Sequence, residues 1–413
     1  MRVLAGKAAE KRVRELAQRA SRLDAVEPQV RKIVAEVRRN GDRVLVKYAR
    51  KWDGLGAGQP LRVATSEMHA AWKAASPDLR SALEQATANI RRFCEWQKPA
   101  EWMRKNDGMS LGQLVRPLDC VGCYVPGGRY PLPSTLLMTV IPAQVAGVRE
   151  IRVVSPKPRP ETMAAAALLG VTEFYRVGGA HAIAALAYGT SGIPRVDKIV
   201  GPGNLYVTAA KKQVAFDCAI DFLAGPTEVV IVAEHGDAVF IAADLVAQAE
   251  HDPEALSIFI SSSRALAETV AATADQVGKN NAVAWLSLAT NGVALVAASH
   301  VQALAWANVI APEHITVARG DVASVRSAGS VFVGEYSPQA VGDYASGPNH
   351  VLPTAGAARY RGGLSVLDFL KLITVQELSP AALRRIAPVV TRLAEAEGLQ
   401  AHAESVRVRC AHA

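Results

Sequence analysis

The stretch IRVVSPKPRPETMAAAALLGVTEFYRVGGAHAIAALAYG, residues 151–189, decides the fold. Two short β-rich runs, IRVVSP and EFYRVGG, each lead into an alanine-rich run with helical spacing, ETMAAAALLG and AHAIAALAYG. The alternation continues downstream. DKIVGPG precedes NLYVTAAKKQVAF, EVVIVAEHG precedes AVFIAADLVAQAEH, and SIFISSS precedes RALAETVAATADQV. Strand–helix alternation at this spacing predicts right-handed crossovers and a mainly parallel sheet covered by helices on both faces. The length leaves room for more than one such sheet.

The flanks read differently. Residues 1–50 and 66–95 show apolar residues at helical spacings, with a break at Asn40-Gly41. After about residue 365 the pattern again reads as helix, first VLDFLKLITVQELS and then PAALRRIAPVVTRLAEAEGLQAHAESVRV. A helical tail after an α/β body often docks elsewhere, including on a partner subunit.

Composition bounds the function. The chain has 413 residues, half of them apolar and a fifth charged, which reads as a globular protein rather than a disordered one. The first residues, MRVLAGKAAEKRVREL, lack the apolar core of a signal peptide, and the longest apolar stretch (135–148) is short and contains Pro142. A cytoplasmic protein without a membrane span is expected. Five cysteines, an odd number, point to reduced thiols. Cys120 and Cys123 have redox-pair or half-zinc-site spacing, but no second such pair exists, and the apolar surroundings favour buried thiols. The net charge of +8 fits a solvated basic surface, an anionic ligand or nucleic acid. The basic residues are scattered, and their one dense cluster lacks interleaved aromatics, so nucleic acid is not expected.

Four clusters could carry chemistry. VAQAEHDPEAL (246–256) places Gln248 and His251 at i and i+3, on one helix face. GDYASGPNHVLPT (342–354) puts Asp343 and His350 in a Gly/Pro-rich loop. NVIAPEHITVA (308–318) has adjacent Glu313 and His314, which reach one cleft only if the chain turns there. AEAEGLQAHAESV (394–406) carries Glu397 and His402. Each has a bland alternative: a solvated helix end, a turn cap or an exposed histidine. Together they offer a zinc-type set and an acid–base pair. GxGxxG is absent, but VGGAHAIAAL and VGPGNLYVTAA place glycines at strand-to-helix junctions, where backbone N–H groups hold phosphate or simply allow a tight turn.

Several blocks in order carry a resemblance across nearly the whole chain: YVPGGRYPLPSTLLM, RVGGAHAIAALAYGT, VDKIVGPGN, AGPTEVVIVA, DLVAQAEHDP, APEHI and AGSVFVGEYSPQAVGDYASGPNHVLPT. The chain resembles the histidinol dehydrogenase family. The resemblance implies one Zn2+ per subunit, held by Gln248, His251, Asp343 and a His402 contributed by the other subunit of a homodimer. It implies NAD-dependent, four-electron oxidation of L-histidinol to L-histidine via L-histidinal. Glu313 and His314 would be the acid–base pair. Thr227, His350 and the partner's Glu397 would bind substrate alongside the zinc ligands and His314, and Tyr124, His181 and Asn204 would contact NAD.

The implied fold is α/β, with two incomplete Rossmann-like parallel-sheet domains and small helical extensions in a subunit-swapped dimer. The expected division is an N-terminal extension 1–19, a first domain 20–123 with 227–364, a second domain 124–226, and a C-terminal extension 365–413. Three positions depart from the family pattern. His181 stands where Gln is usual, and imidazole cannot present an amide's paired donor and acceptor. Thr227 replaces Ser, and Phe222 replaces Met. Alternatives are the same machinery on another polar alcohol, such as a sulfopropanediol, and a zinc hydrolase with Glu313 as base.

Overall fold

Strand Glu150–Val154 leads into helix Pro160–Leu168, and strand Glu173–Tyr175 into helix Gly179–Tyr188, as the alternation predicts. The computed structural model describes residues 1–19, 23–127 and 130–412. The described chain divides into two compact units, 1–97 with 119–369 and 98–118 with 370–413. The expected boundary at residues 19–20, and Gly128 and Arg129 of the YVPGGRYPLPS block, touch or lie outside the described residues.

The first unit holds two parallel sheets. One runs Glu173–Tyr175, Glu150–Val154, Cys120–Tyr124, Lys198–Val200, Ala219–Ile220. The other runs Arg2–Ala5, Val293–Val296, Leu256–Ser261, Glu228–Val232, His314–Val317, Ser330–Val333. In each, the chain builds outward from an inner strand and then crosses to that strand's other side. Each sheet therefore has a topological switch point, beside Cys120–Tyr124 and beside Glu228–Val232.

Every residue of Glu228–Val232 is buried, as a strand covered on both faces requires. On one face Val230, Ile258 and Leu295 pack with Val13 and Leu16 of helix Gly6–Ala17 and with Trp306 and Ile310 of helix His300–Ile310. On the other, Val229, Ile231 and Phe259 meet Leu245 and Val270. These positions alternate along the strands, as a pleated sheet dictates.

The flanks bring three corrections. Residues 2–5 are not helical: RVLA pairs with Val293–Val296 at the edge of the six-stranded sheet. Residues 27–52, expected with that sheet's domain, instead share a core with the five-stranded sheet. There Val30, Ile33, Val37 and Leu45 pack with Ile183, Ile199 and Val207, and Cys120–Tyr124 is one of that sheet's strands. LKLITVQEL was expected to be helical, but Leu370–Leu378 is a strand, paired antiparallel with Met109–Pro117 along its whole length. Its β-branched Ile373, Thr374 and Val375 suit a pleated surface better than a helix.

That strand belongs to the second unit, whose sheet runs Leu370–Leu378, Met109–Pro117, Trp102–Asn106. Asp107 and Gly108 close the hairpin with φ of 49° and 75°, the two positive values of a type I′ turn. Helix Pro380–Ala396 starts at Ser379, whose hydroxyl accepts the Ala382 N–H, and is followed by helix Gln400–His412. No helix among the described residues is long and apolar enough to cross a membrane.

Candidate active site

Glu313 ends the link from helix His300–Ile310, and His314 opens strand His314–Val317. The chain turns at Ala311, held at φ 51°, and both side chains then reach the same residue on the neighbouring strand. Glu313 Oε2 accepts the Glu228 N–H at 2.9 Å, and His314 Nδ1 lies 3.1 Å from the Glu228 carbonyl oxygen. A carbonyl only accepts, so Nδ1 carries a proton and donates. The two side chains approach to 3.7 Å, Nδ1 to Oε2.

His314 Nε2 is buried without a hydrogen-bond partner among the described residues. It faces Asp343 Oδ1 at 3.4 Å, near enough to feel the charge but not aligned for a hydrogen bond. Burial disfavours a charged His314, yet Glu313 and Asp343 outweigh it and raise the ring to about 9. Burial pushes Glu313 up to about 7, against the opposing pull of His314, the Thr227 hydroxyl and the Glu228 N–H. The protons of so close a pair belong to the pair. Asp343 is disfavoured as an anion by burial, but His314 holds its carboxyl below the usual range.

Around this pair the sequence clusters converge. Gln248 is buried, and its Nε2 donates to Thr227 Oγ1, which donates to Glu313 Oε2 at 2.5 Å. His251 is not on the helical face expected. The helix ends at Ala249 and His251 follows its C-cap, exposed, within electrostatic reach of Asp343 and His350. Asp343 sits on the short helix Gln339–Tyr344 rather than in a loop. His350 Nδ1 donates to the Asp343 carbonyl at 2.6 Å, and its Nε2 lies 3.2 Å from Thr135 Oγ1. Burial lowers the pKa of His350 and favours the neutral ring.

The residues expected at a cofactor lie at the carboxyl ends of the five-stranded sheet. Tyr124 ends its strand, and its hydroxyl oxygen accepts the Gly179 N–H at 3.1 Å. Asn204 caps helix Leu205–Val214, accepting the N–H groups of Tyr206 and Val207. His181 is buried, with Nε2 2.7 Å from Asp53 Oδ2, an oxygen that also accepts the Gly178 N–H. Gly201 has φ +109°, and an added Cβ would meet the Tyr124 carbonyl oxygen at 2.1 Å, so tight packing requires this glycine. A cavity of about 860 Å3 is lined by Asn204, Leu205, Thr227, Glu228 and His251.

Among the described residues no three His, Cys, Asp or Glu side chains form a metal cluster. The expected set draws only His251 and Asp343 of those types from this unit, with the amide of Gln248 as third donor. Glu397 caps the C-terminus of helix Pro380–Ala396, and His402 lies on helix Gln400–His412, both exposed in the second unit. Cys120 and Cys123 are buried free thiols, each pushed up to about 12 by burial.

The family model for histidinol dehydrogenase matches residues 16–410. The chain belongs to the histidinol dehydrogenase family. The histidinol dehydrogenase of Methanosarcina barkeri is 44% identical over 417 residues, covering 97% of this chain and 95% of that protein. That of Thermus thermophilus is 47% identical over 393 residues, covering 93% and 94%. The crystal structure of histidinol dehydrogenase from Elizabethkingia anophelis superposes with a TM-score of 0.93 at 34% identity, covering 99% and 98%. Membership makes the chain an oxidoreductase of histidine biosynthesis.

Three groups at or beside the site carry no signal in the sequence: Glu228, Arg19, which pairs with it, and Thr135. Glu228 was only the last letter of GPTE, and Arg19 one of many basic residues near the N-terminus. Thr135, beside His350, was hidden in an apolar helix. Only the folded chain brings them to the site.

Proposed function

We propose that the chain catalyses zinc-containing, NAD-dependent oxidation of L-histidinol to L-histidine through L-histidinal. It would act as a homodimer of subunits with two incomplete Rossmann-like domains, the partner subunit's His402 and Glu397 completing each site. The observation that carries this reading is the unpartnered, buried Nε2 of His314, with Nδ1 held by a carbonyl and Glu313 alongside. Nδ1 keeps its proton on the carbonyl, so Nε2 is the nitrogen at which the ring exchanges a proton.

The donor set suits zinc. Thr227 gives its proton to Glu313, so its oxygen accepts from Gln248 Nε2 and turns Gln248 Oε1 away as an oxygen donor. His251 adds a nitrogen, Asp343 a carboxylate and His402 a second nitrogen, a mixture that zinc accepts. Bound zinc would hold the substrate amine and imidazole and lend electrostatic support. Asp343 cannot both ligate a cation and raise His314 to the same degree, so ligation favours the neutral, basic ring.

NAD would bind near the carboxyl ends of the five-stranded sheet and would supply the hydride acceptor. Tyr124 and Asn204 would meet it there, with His181 supporting the Gly178 turn through Asp53. In the first oxidation His314 Nε2 takes the alcohol proton as the carbon gives up hydride. In the second, Glu313 takes a proton from the water that adds to the aldehyde, a second NAD would accept the second hydride, and the carboxylic acid so formed releases its proton to give the carboxylate. Thr227 and His350 would flank the substrate, and the partner subunit's Glu397 would face its amine.

His314→Asn tests the assignment. Turnover should fall about a hundred- to ten-thousand-fold, the usual worth of a proton relay, while zinc content by atomic emission stays that of the parent. A variant with near-parental turnover sinks the reading.

A further inference from the structure

We propose that the buried ion pair of Arg19 and Glu228 is a positioning device for the acid–base pair, acting through the backbone of residue 228. The inference rests on the roles given above to Glu313 and His314. The Glu228 side chain is buried, and Arg19 grips both its oxygens through Nε and Nη2. The Ala355 N–H adds a further bond to Oε1 at 2.9 Å. Arg19 is itself anchored, donating to the carbonyls of Leu16, Ile310 and Ala311. Ala311 and Ala355 have φ of 51° and 52°, a conformation that a residue with a Cβ keeps only where its surroundings hold it. The ion pair thus ties the end of helix Gly6–Ala17, the link before Glu313 and the loop after His350 to one carboxylate.

The main chain of that same residue makes both contacts to the acid–base pair. Its N–H goes to Glu313 at 2.9 Å, and its carbonyl takes the proton of His314 Nδ1 at 3.1 Å. Rotation of residue 228 would misplace the carboxylate and release the ring tautomer together. A carboxylate held at both oxygens by Arg19 and again by the Ala355 N–H, beside the site, is built to prevent that rotation. Arg19 is suited to the task because its planar fork fixes orientation, which an ammonium does not.

The test uses Glu228→Gln and Arg19→Lys in the intact enzyme, with kcat expressed per folded, zinc-loaded site. Glu228→Gln should lower kcat by about tenfold or more, and Arg19→Lys by a smaller factor, with both KM values and the zinc content within about twofold of the parent. The double variant should be no slower than Glu228→Gln alone, because the two residues act as a unit. A fall in melting temperature with kcat unchanged would overturn the proposal in favour of a structural pair. A raised KM at unchanged kcat would overturn it in favour of a ligand contact by Arg19, which lines the cavity. Should both variants fail to fold, the 15N signals of His314 in the parent decide, identified by their loss in His314→Asn. In the neutral ring, a proton on Nδ1 upholds the proposal, and one on Nε2 overturns it. Full turnover by His314→Asn would instead overturn the acid–base reading on which the proposal stands.

Discussion

Thr227 links two residues that the sequence presents as unrelated. Its oxygen accepts from Gln248 and its proton goes to Glu313, so one hydroxyl sets both an amide's orientation and a carboxylate's position. Thr227→Val keeps the shape and removes the link. Gln248 Nε2 then loses its partner, and Glu313 keeps only the Glu228 N–H on that oxygen. The expected cost is about 1–3 kcal/mol in urea unfolding, together with a large loss of turnover. Thr227→Ser, which restores the hydroxyl, should stay close to the parent in both. Near-parental turnover in the valine variant would show that the link is dispensable. At this scale the sequence was legible for residue types. Gln, His, Asp and Glu-His clusters stand out in an alanine- and valine-rich chain. The roles of Glu228 and Arg19 were not legible, because they arise from a main-chain contact and a pairing across 209 positions.

Among the elements, the parallel strands were legible because each is a short β-branched run followed by a helix-period run. The strand Leu370–Leu378 was not. LKLITVQEL has no turn beside it to mark a hairpin, and its partner Met109–Pro117 lies far back in the chain. The strand Arg2–Ala5 has four residues and is held by an edge pairing equally remote in sequence. Asn106-Asp107-Gly108, by contrast, carries a local hairpin signal, and Asp107 and Gly108 take the positive φ values that it calls for. A different pH-sensitive tie joins the carboxyl ends of the six-stranded sheet. His300, at the start of its helix, sits between Glu234 Oε1 at 3.2 Å and Asp321 Oδ1 at 2.9 Å. Carboxylates only accept, so the ring satisfies both as the cation. The Asp321 bond raises its pKa, burial opposes this, and Glu234 adds to the rise. A histidine whose folded pKa is raised stabilises fully below its unfolded value, near 6.5, and loses that contribution as pH climbs through the folded value. The stability advantage of the parent over His300→Gln should therefore shrink from about pH 6 upward. Urea melts of both proteins across that range would show it, and an advantage that grows with pH would contradict the assignment.

On the scale of the whole molecule, the proposed site is incomplete in one chain, because the fourth zinc ligand is assigned to the partner. Subunit mixing tests this without knowing the dimer's shape. His402→Asn and His314→Asn are each expected to be nearly inactive. Unfolded together and refolded, they form mixed dimers in which one site draws an intact body from one chain and an intact His402 from the other. About a quarter of parental activity should return for random pairing. If His402 served its own chain, both sites of the mixed dimer would be defective and nothing would return.

Four-electron oxidation of L-histidinol on a zinc site has a fixed yield of reduced cofactor. The most direct measurement is the NADH formed per L-histidinol consumed, followed by absorbance, before and after chelation and again after zinc is restored. About two NADH per substrate are expected, lost with the metal and regained with zinc. NADH formation that persists at the same yield in metal-free protein, or its absence from zinc-loaded protein given L-histidinol, would contradict it.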